Sequence, residues 1–264
     1  GEVTQGQVTQ CVLEMMIAAP DTLSVSLLFM ALLIAERPQL QEELHQEALG
    51  LLGPLRAPTV RELQLGLPLL ERFVSEALRH SPVVDVIMRR AVPTVGGGGG
   101  GGGATLGGVP VAPGTNVIVD LRSLHSSPGA FTAPSTFSLD NFAQPVPPRH
   151  FQPFGSGPRG CSGKLAAVVM VKATLVTLLR SHRLHAVAAG DALRGLGTSG
   201  DLAVHPHEGQ AGLVLALLKR GHGGGGGDGG DGDGGGDGGD GGGGGDSDGD
   251  GDRGGDWSVE THSH

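Results

Sequence analysis

Apolar residues run almost unbroken from Cys11 to Ala35, with Glu14 and Asp21 the charges before Glu36-Arg37-Pro38 closes the segment. Apolarity on every side predicts a helix buried at the centre of a soluble core. The length also admits a membrane span, but Pro20-Asp21-Thr22 in its middle would be costly against lipid. Pro20 withdraws one backbone donor and frees a carbonyl one turn back, so a kink is expected there. Residues 40–52 show helical amphipathic spacing and stop at Gly53-Pro54. Thr59-x-x-Glu62 has the form of a capping box for a short helix. Pro68 then opens a firmer helix through His80, with Leu69, Leu70, Phe73, Val74, Ala77 and Leu78 on one face.

Beyond Ser81-Pro82 the period changes. Residues 83–92 and 115–121 read as strands, the second entered through Pro113-Gly114. Residues 125–150 are rich in Pro, Ser and aromatic positions and read as an ordered meander without regular structure. Residues 162–183 form a second buried helix, too short and, at Lys164 and Lys172, too charged to cross a membrane. Residues 202–205 and 212–218 read as two strands joined around Pro206-His207-Glu208-Gly209. The expected fold class is mainly α with small β-sheets.

Composition divides the chain of 264 residues into two unequal parts. Residues 221–264 are dominated by Gly and Asp, and 96–103 is an uninterrupted glycine run. Neither can bury enough apolar surface to offset chain entropy. The expected organisation is a domain over 1–220, with a glycine-rich loop insertion at 96–103, followed by a disordered tail over 221–264. Eleven acids and one base beyond residue 220 leave 16 acids against 17 bases before it. The net charge of −9 therefore belongs to the tail and implies no nucleic-acid partner for the folded part. Calcium-binding Gly/Asp repeats need an apolar position that the tail lacks. The two cysteines, Cys11 and Cys161, make no disulfide framework, and no signal peptide or anchor is legible at the start. None of the eight histidines before residue 221 shows metal-ligand spacing.

The strongest chemical signal is Phe154-Gly-Ser-Gly157-Pro-Arg159-Gly-Cys161-Ser-Gly163, leading straight into an apolar helix. It sets one sulfur at a helix N-terminus inside a glycine-loosened loop. Backbone N–H groups there can hydrogen-bond a thiolate and keep it deprotonated. Gly157 and Gly163 let backbone come close to a flat ligand, and Arg159 can fork onto a carboxylate. A sulfur donor of this kind suits haem iron and oxygen activation. A structural cysteine beside a glycine turn is the bland alternative. A phosphate loop is excluded, because Leu165 follows Lys164 and Pro158 stands where a glycine is required.

The pattern Phe-x-x-Gly-x-Arg-x-Cys-x-Gly resembles the haem-binding loop of the cytochrome P-450 superfamily. Glu76-x-x-Arg79 resembles that superfamily's structural Glu-x-x-Arg pair, whose further partner from the meander is not assignable at Pro134-Ser-Thr-Phe137. Ala18-Ala-Pro20-Asp21-Thr22 resembles its oxygen-activating helix motif. Read alone, the motif has Thr22 back-bonding to a carbonyl and Asp21 filling the gap left by Pro20; beside Cys161 a proton relay is expected. Runs around Pro20, Pro82–Arg89 and Arg149–Cys161 are similar to the superfamily's oestrogen-forming steroid monooxygenases.

That resemblance implies a haem-thiolate fold, here without its N-terminal half, and oxidative removal of an androgen's angular methyl group with aromatisation of ring A. It implies haem as cofactor, Cys161 as axial iron ligand, Phe154, Gly157 and Gly163 shaping its loop, and Arg159 and Arg89 on the propionates. Asp21 would contact the ring-A ketone as the protonated acid and Thr22 would serve oxygen activation. The Met88 N–H would hold the other end of the steroid, with Ala18, Val84 and Leu202 as apolar wall. Electrons would come from NADPH through a reductase, at the endoplasmic reticulum membrane. Ala203 departs from the serine expected beside that pocket. The alternative is a catalytically inactive fragment that binds haem or the reductase without turnover.

Overall fold

The structure, a computed structural model, describes residues 3–92, 104–186, 198–200, 204–206 and 215–220. The glycine run at 96–103, Leu202, Ala203, His207 and the tail at 221–264 lie outside the described residues. Helix α1 (Gln5–Ala35) begins six residues earlier than the apolar pattern suggests, because Thr4 and Gln7 form a capping box ahead of it. Pro20 lies inside this helix, with the chain helical on both sides. Helices α2 (Pro38–Leu52), α3 (Val60–Leu65) and α4 (Pro68–His80) match the sequence reading. Thr59 and Glu62 make the expected capping box.

Two-stranded sheets follow. Strand β1 (Val86–Arg90) is separated from its partner by a hairpin of β2 (Ala104–Leu106) and β3 (Val109–Val111). Gly107 and Gly108 turn that hairpin at φ 56° and 83°, the double left-handed geometry that suits strand twist. The sequence reading passed over this element. Strand β4 (Asn116–Asp120) then pairs antiparallel with β1, Val86 facing Asp120 and Arg90 facing Asn116. Helix α5 (Leu121–His125), a meander with a 3-10 turn at Leu139–Phe142, and helix α6 (Lys164–Ser181) complete the helical part.

The terminal strands correct the sequence reading. Residues 204–206 and 215–219 do not pair with each other. Strand β5 (His182–Ala186) pairs with β8 (Leu215–Lys219), and β6 (Thr198–Gly200) with β7 (Val204–Pro206). Alternating apolarity identifies a strand but not its partner. Helix α6 runs directly into β5, which presents the edge that β8 takes. Gln41 of α2 secures that strand from the other side: its amide donates to Leu184 O at 3.0 Å and accepts from Leu184 N at 2.7 Å.

The core joins the second half of α1 to α2, α3, α4, α6 and β5, around Leu33, Ile34, Phe73 and Leu175, each fully buried. The expectation that α1 is buried throughout holds only from Val25 onward. Its first half is exposed, Met16 by 67% and Ile17 by 77%. By length and composition α1 qualifies as a membrane-spanning candidate, with under half of its most apolar window buried in protein. The reading that the chain carries no such segment is corrected to that extent. Helix α6 is likewise buried along Val171–Leu179 but exposed at Leu165 and Met170.

Lys172, a charge by sequence, sits fully inside and donates to Leu63 O at 2.8 Å and to the Glu71 carboxylate. Glu47 of α2 supplies the cap that α4 lacks in its own sequence, accepting from Leu69 N at 2.6 Å and Leu70 N at 2.9 Å. Charge at a helix start strengthens such bonds. Replacing Glu47 with Ala orphans both donors and is expected to cost about 1–2 kcal/mol in urea unfolding, with Glu47→Gln losing less.

Candidate cysteine-loop site

The loop from Phe154 to Gly163 is shaped by two left-handed glycines, Gly155 at φ 66° and Gly157 at φ 68°. A side chain would strain the backbone at either position. The Gly157–Arg159 turn closes with Gly160 N donating to Gly157 O at 2.9 Å, and Cys161 N donates back to Phe154 O at 2.9 Å. This closure leaves Cys161 an exposed free thiol just ahead of Gly163, the N-cap of α6. Helix N-terminal N–H groups with no intrahelical partner therefore follow directly after the sulfur.

Gly163 has an ordinary φ of −84°. A methyl group there would touch the Cys161 sulfur at 3.8 Å. That is an ordinary van der Waals contact, so Gly163 is not required by backbone conformation as Gly157 is. Gly155, which shares that requirement, was legible in Phe-Gly-Ser-Gly but not singled out. Arg159 is exposed on the turn, and Lys164 Nζ lies 5.9 Å from the Phe154 ring centroid. An accessible thiol and an outward arginine fit a flat, anionic group bound through sulfur.

Glu76 and Arg79 are both fully buried on α4 and meet through two bonds, Nε to Oε2 at 2.7 Å and Nη2 to Oε1 at 2.8 Å. Arg79 also donates to the carbonyls of His125 (2.9 Å), Pro134 (2.8 Å) and Thr136 (2.8 Å). All five guanidinium N–H groups are thereby used, a set that lysine could not reproduce. The meander partner that could not be assigned from sequence is Asn141. Its Nδ2 donates to Glu76 Oε1 at 3.1 Å, and its amide brackets Ala133 N and O. Ser138 N donates to the same Glu76 oxygen at 2.8 Å. Asn141 escaped detection because the meander has no period that marks inward positions.

On α1, Thr22 Oγ1 donates to Ala18 O at 3.1 Å, the local back-bond that the sequence left open. Asp21 is exposed beside it, and Ala18 lies on the uncovered half of the helix. On β1 the register places Asp85, Ile87, Arg89 and Ala91 in hydrogen-bonded pairs with the β4 side, anchored by Leu121 N to Asp85 O and Ala91 N to Thr115 O, both 2.8 Å. Met88, facing Ile118, therefore turns its N–H away from β4. Its carbonyl accepts from Arg89 Nη1 at 2.9 Å, and Val84 lies just before the strand, half-buried. Among the described residues no hydrogen bond joins Thr22, Met88 or Arg89 to the cysteine loop, and no three His, Cys, Asp or Glu side chains converge as a metal cluster.

The family model described as Cytochrome P450 matches residues 1–212. The chain is 43% identical to aromatase of Taeniopygia guttata over 83% of its length and 41% of that relative's. It is 44% identical to aromatase of Gallus gallus, covering 80% and 39% respectively. It thus spans about two fifths of the curated relatives it matches. A zebra fish cytochrome P450 solved with progesterone superposes with a TM-score of 0.69 at 24% identity, over 83% of this chain and 47% of that one.

Two stability tests follow from the site. Gly157→Ala is expected to cost about 1–2 kcal/mol through its left-handed φ, while Gly163→Ala leaves unfolding nearly unchanged; equal losses would contradict the division of roles. Glu76→Gln leaves the Arg79 charge buried without its counter-ion and is expected to cost about 3 kcal/mol or more, read by denaturant unfolding.

Proposed function

Because the chain belongs to the cytochrome P450 family, we propose that it forms the thiolate side of a steroid monooxygenase of the aromatase type. The reaction is the oxidative conversion of androgens to oestrogens, removing the angular methyl group and aromatising ring A. The observation that carries this reading is the exposed Cys161 thiol on its self-closed glycine loop at the head of α6. Likeness to the aromatases supports the substrate class.

Held through sulfur, haem supplies activation of dioxygen with electrons passed from NADPH by a reductase partner at the endoplasmic reticulum membrane. Cys161, exposed at the head of α6, would hold the haem iron through its sulfur. Arg159 and Arg89, both outward-facing, pair with the propionates. Phe154, Gly157 and Gly163 set loop shape and sulfur access. Glu76 and Arg79 take no part in bond-making; they fix the meander that leads to the loop.

On α1, Asp21 would contact the ring-A ketone of the steroid. Thr22, whose Oγ1 donates to Ala18 O, would serve oxygen activation by exchanging that bond for one to water and relaying a proton. The outward N–H of Met88 binds the far end of the steroid, and Ala18, Val84 and Leu202 exclude water. One polar anchor at each end of an apolar slot suits a rigid, flat substrate.

A second reading, a haem- or reductase-binding polypeptide without turnover, draws on one observation. The apolar first half of α1, from Val8 to Ile17, is uncovered by the described residues. Cys161→Ser is expected to abolish the thiolate-type Soret band of the reduced carbon-monoxide complex. Asp21→Asn is expected to lower androgen turnover at least tenfold with haem content unchanged. A thiolate band without turnover in the unaltered chain selects the second reading, and no band at all refutes the first reading and haem binding in the second.

A further inference from the structure

His125 is fully buried at the end of α5, and its two faces of contact lead to different parts of the site. Its carbonyl accepts from Arg79 Nη1 at 2.9 Å. Its ring Nε2 accepts from the backbone N–H of Gln152 at 3.1 Å, two residues before Phe154. The ring also packs on Phe151 with centroids 5.3 Å apart, and Phe151 in turn on Phe142 at 4.8 Å. One residue thus ties the buried Glu76–Arg79 network to the irregular segment that enters the cysteine loop. Sequence spacing assigned it no role.

We propose that His125 is a positioning residue for Cys161, its neutral imidazole fastening Gln152 and so setting where the loop begins. An acceptor at Nε2 requires the ring proton on Nδ1, and Nδ1 is buried without a partner among the described residues. Protonation would place an N–H against the Gln152 N–H, donor facing donor, and release the segment. The relevance of that release to haem rests on the reading above; the contact itself does not.

The surroundings set the direction of the pH effect. Burial, and then the Arg79 guanidinium, push the imidazole down to about 4 from its usual 6.5. The charged groups nearest the ring come from α4, Arg79 with its partner Glu76, while the loop side contributes the Phe151 ring and the Gln152 amide. Because the folded value is depressed, the contact is fully present above 6.5 and is lost as pH falls toward 4.

Hydrogen exchange by mass spectrometry on the full chain tests this, comparing peptides 150–163 and 68–80 between pH 7 and 4 after correction for intrinsic rates. The loop peptide is expected to lose about tenfold protection across that window, the worth of one hydrogen bond. His125→Gln, whose side-chain oxygen can accept from Gln152 without titrating, keeps protection at every pH. His125→Phe is about tenfold less protected throughout, with 68–80 unchanged. The proposal is overturned by a flat profile in the unaltered chain, by titration or lost protection in His125→Gln, by full protection in His125→Phe, or by parallel loss in 68–80. Failure of haem ligation with these exchange results intact would fell the proposed function and leave this contact standing.

Discussion

The arrangement depends on one buried ion pair. Glu76 and Arg79 lie on a single helix face with almost no exposure, and neither charge is tolerable there without the other. What makes the pair more than a stability device is its reach. Arg79 spends its remaining donors on three carbonyls of the loop-rich segment, and Glu76 accepts from Ser138 and Asn141. A segment with no ladder of its own thereby finds partners for its backbone groups, which an irregular buried chain otherwise lacks.

Around that anchor, aromatic rings supply the apolar half of the same job. Phe137 meets Phe73 of α4 at 6.0 Å, Phe131 packs on Phe142, and Arg79 lies over the Phe131 ring at 5.1 Å. The chain then passes Phe151 and Gln152 into the Phe154–Cys161 closure. The sulfur owes its place to this relay of rings and carbonyls as much as to α6, whose start it precedes. Rigid support behind an accessible thiol is what a metal-ligating loop requires.

A contrast runs through the two long apolar helices. From Val25 onward α1, and from Val171 onward α6, the apolar surface is packed into one core. Toward the N-terminal ends of both, comparable side chains stand exposed, including Ile17 and Leu165. The exposed ends carry the residues that the proposed function draws on: Ala18, Asp21 and Thr22 on α1, and Cys161 at the head of α6.

The sequence alone determined the longer helices, the caps at Thr59 and Pro68, and the cysteine loop, but not the short α5, because spacing, capping residues and glycine are local properties of a chain. The family followed from the same loop, since five fixed positions around one sulfur encode a local geometry. Only the tertiary structure decided that β8 pairs with β5, that Lys172 is inside, and that Asn141 and His125 complete the network. Those outcomes join residues tens of positions apart, and no period or propensity along the chain records which distant group a buried donor will meet. Burial of half of α1 was of the same kind, since apolarity on every side states what a helix can pack against and not how much of it does.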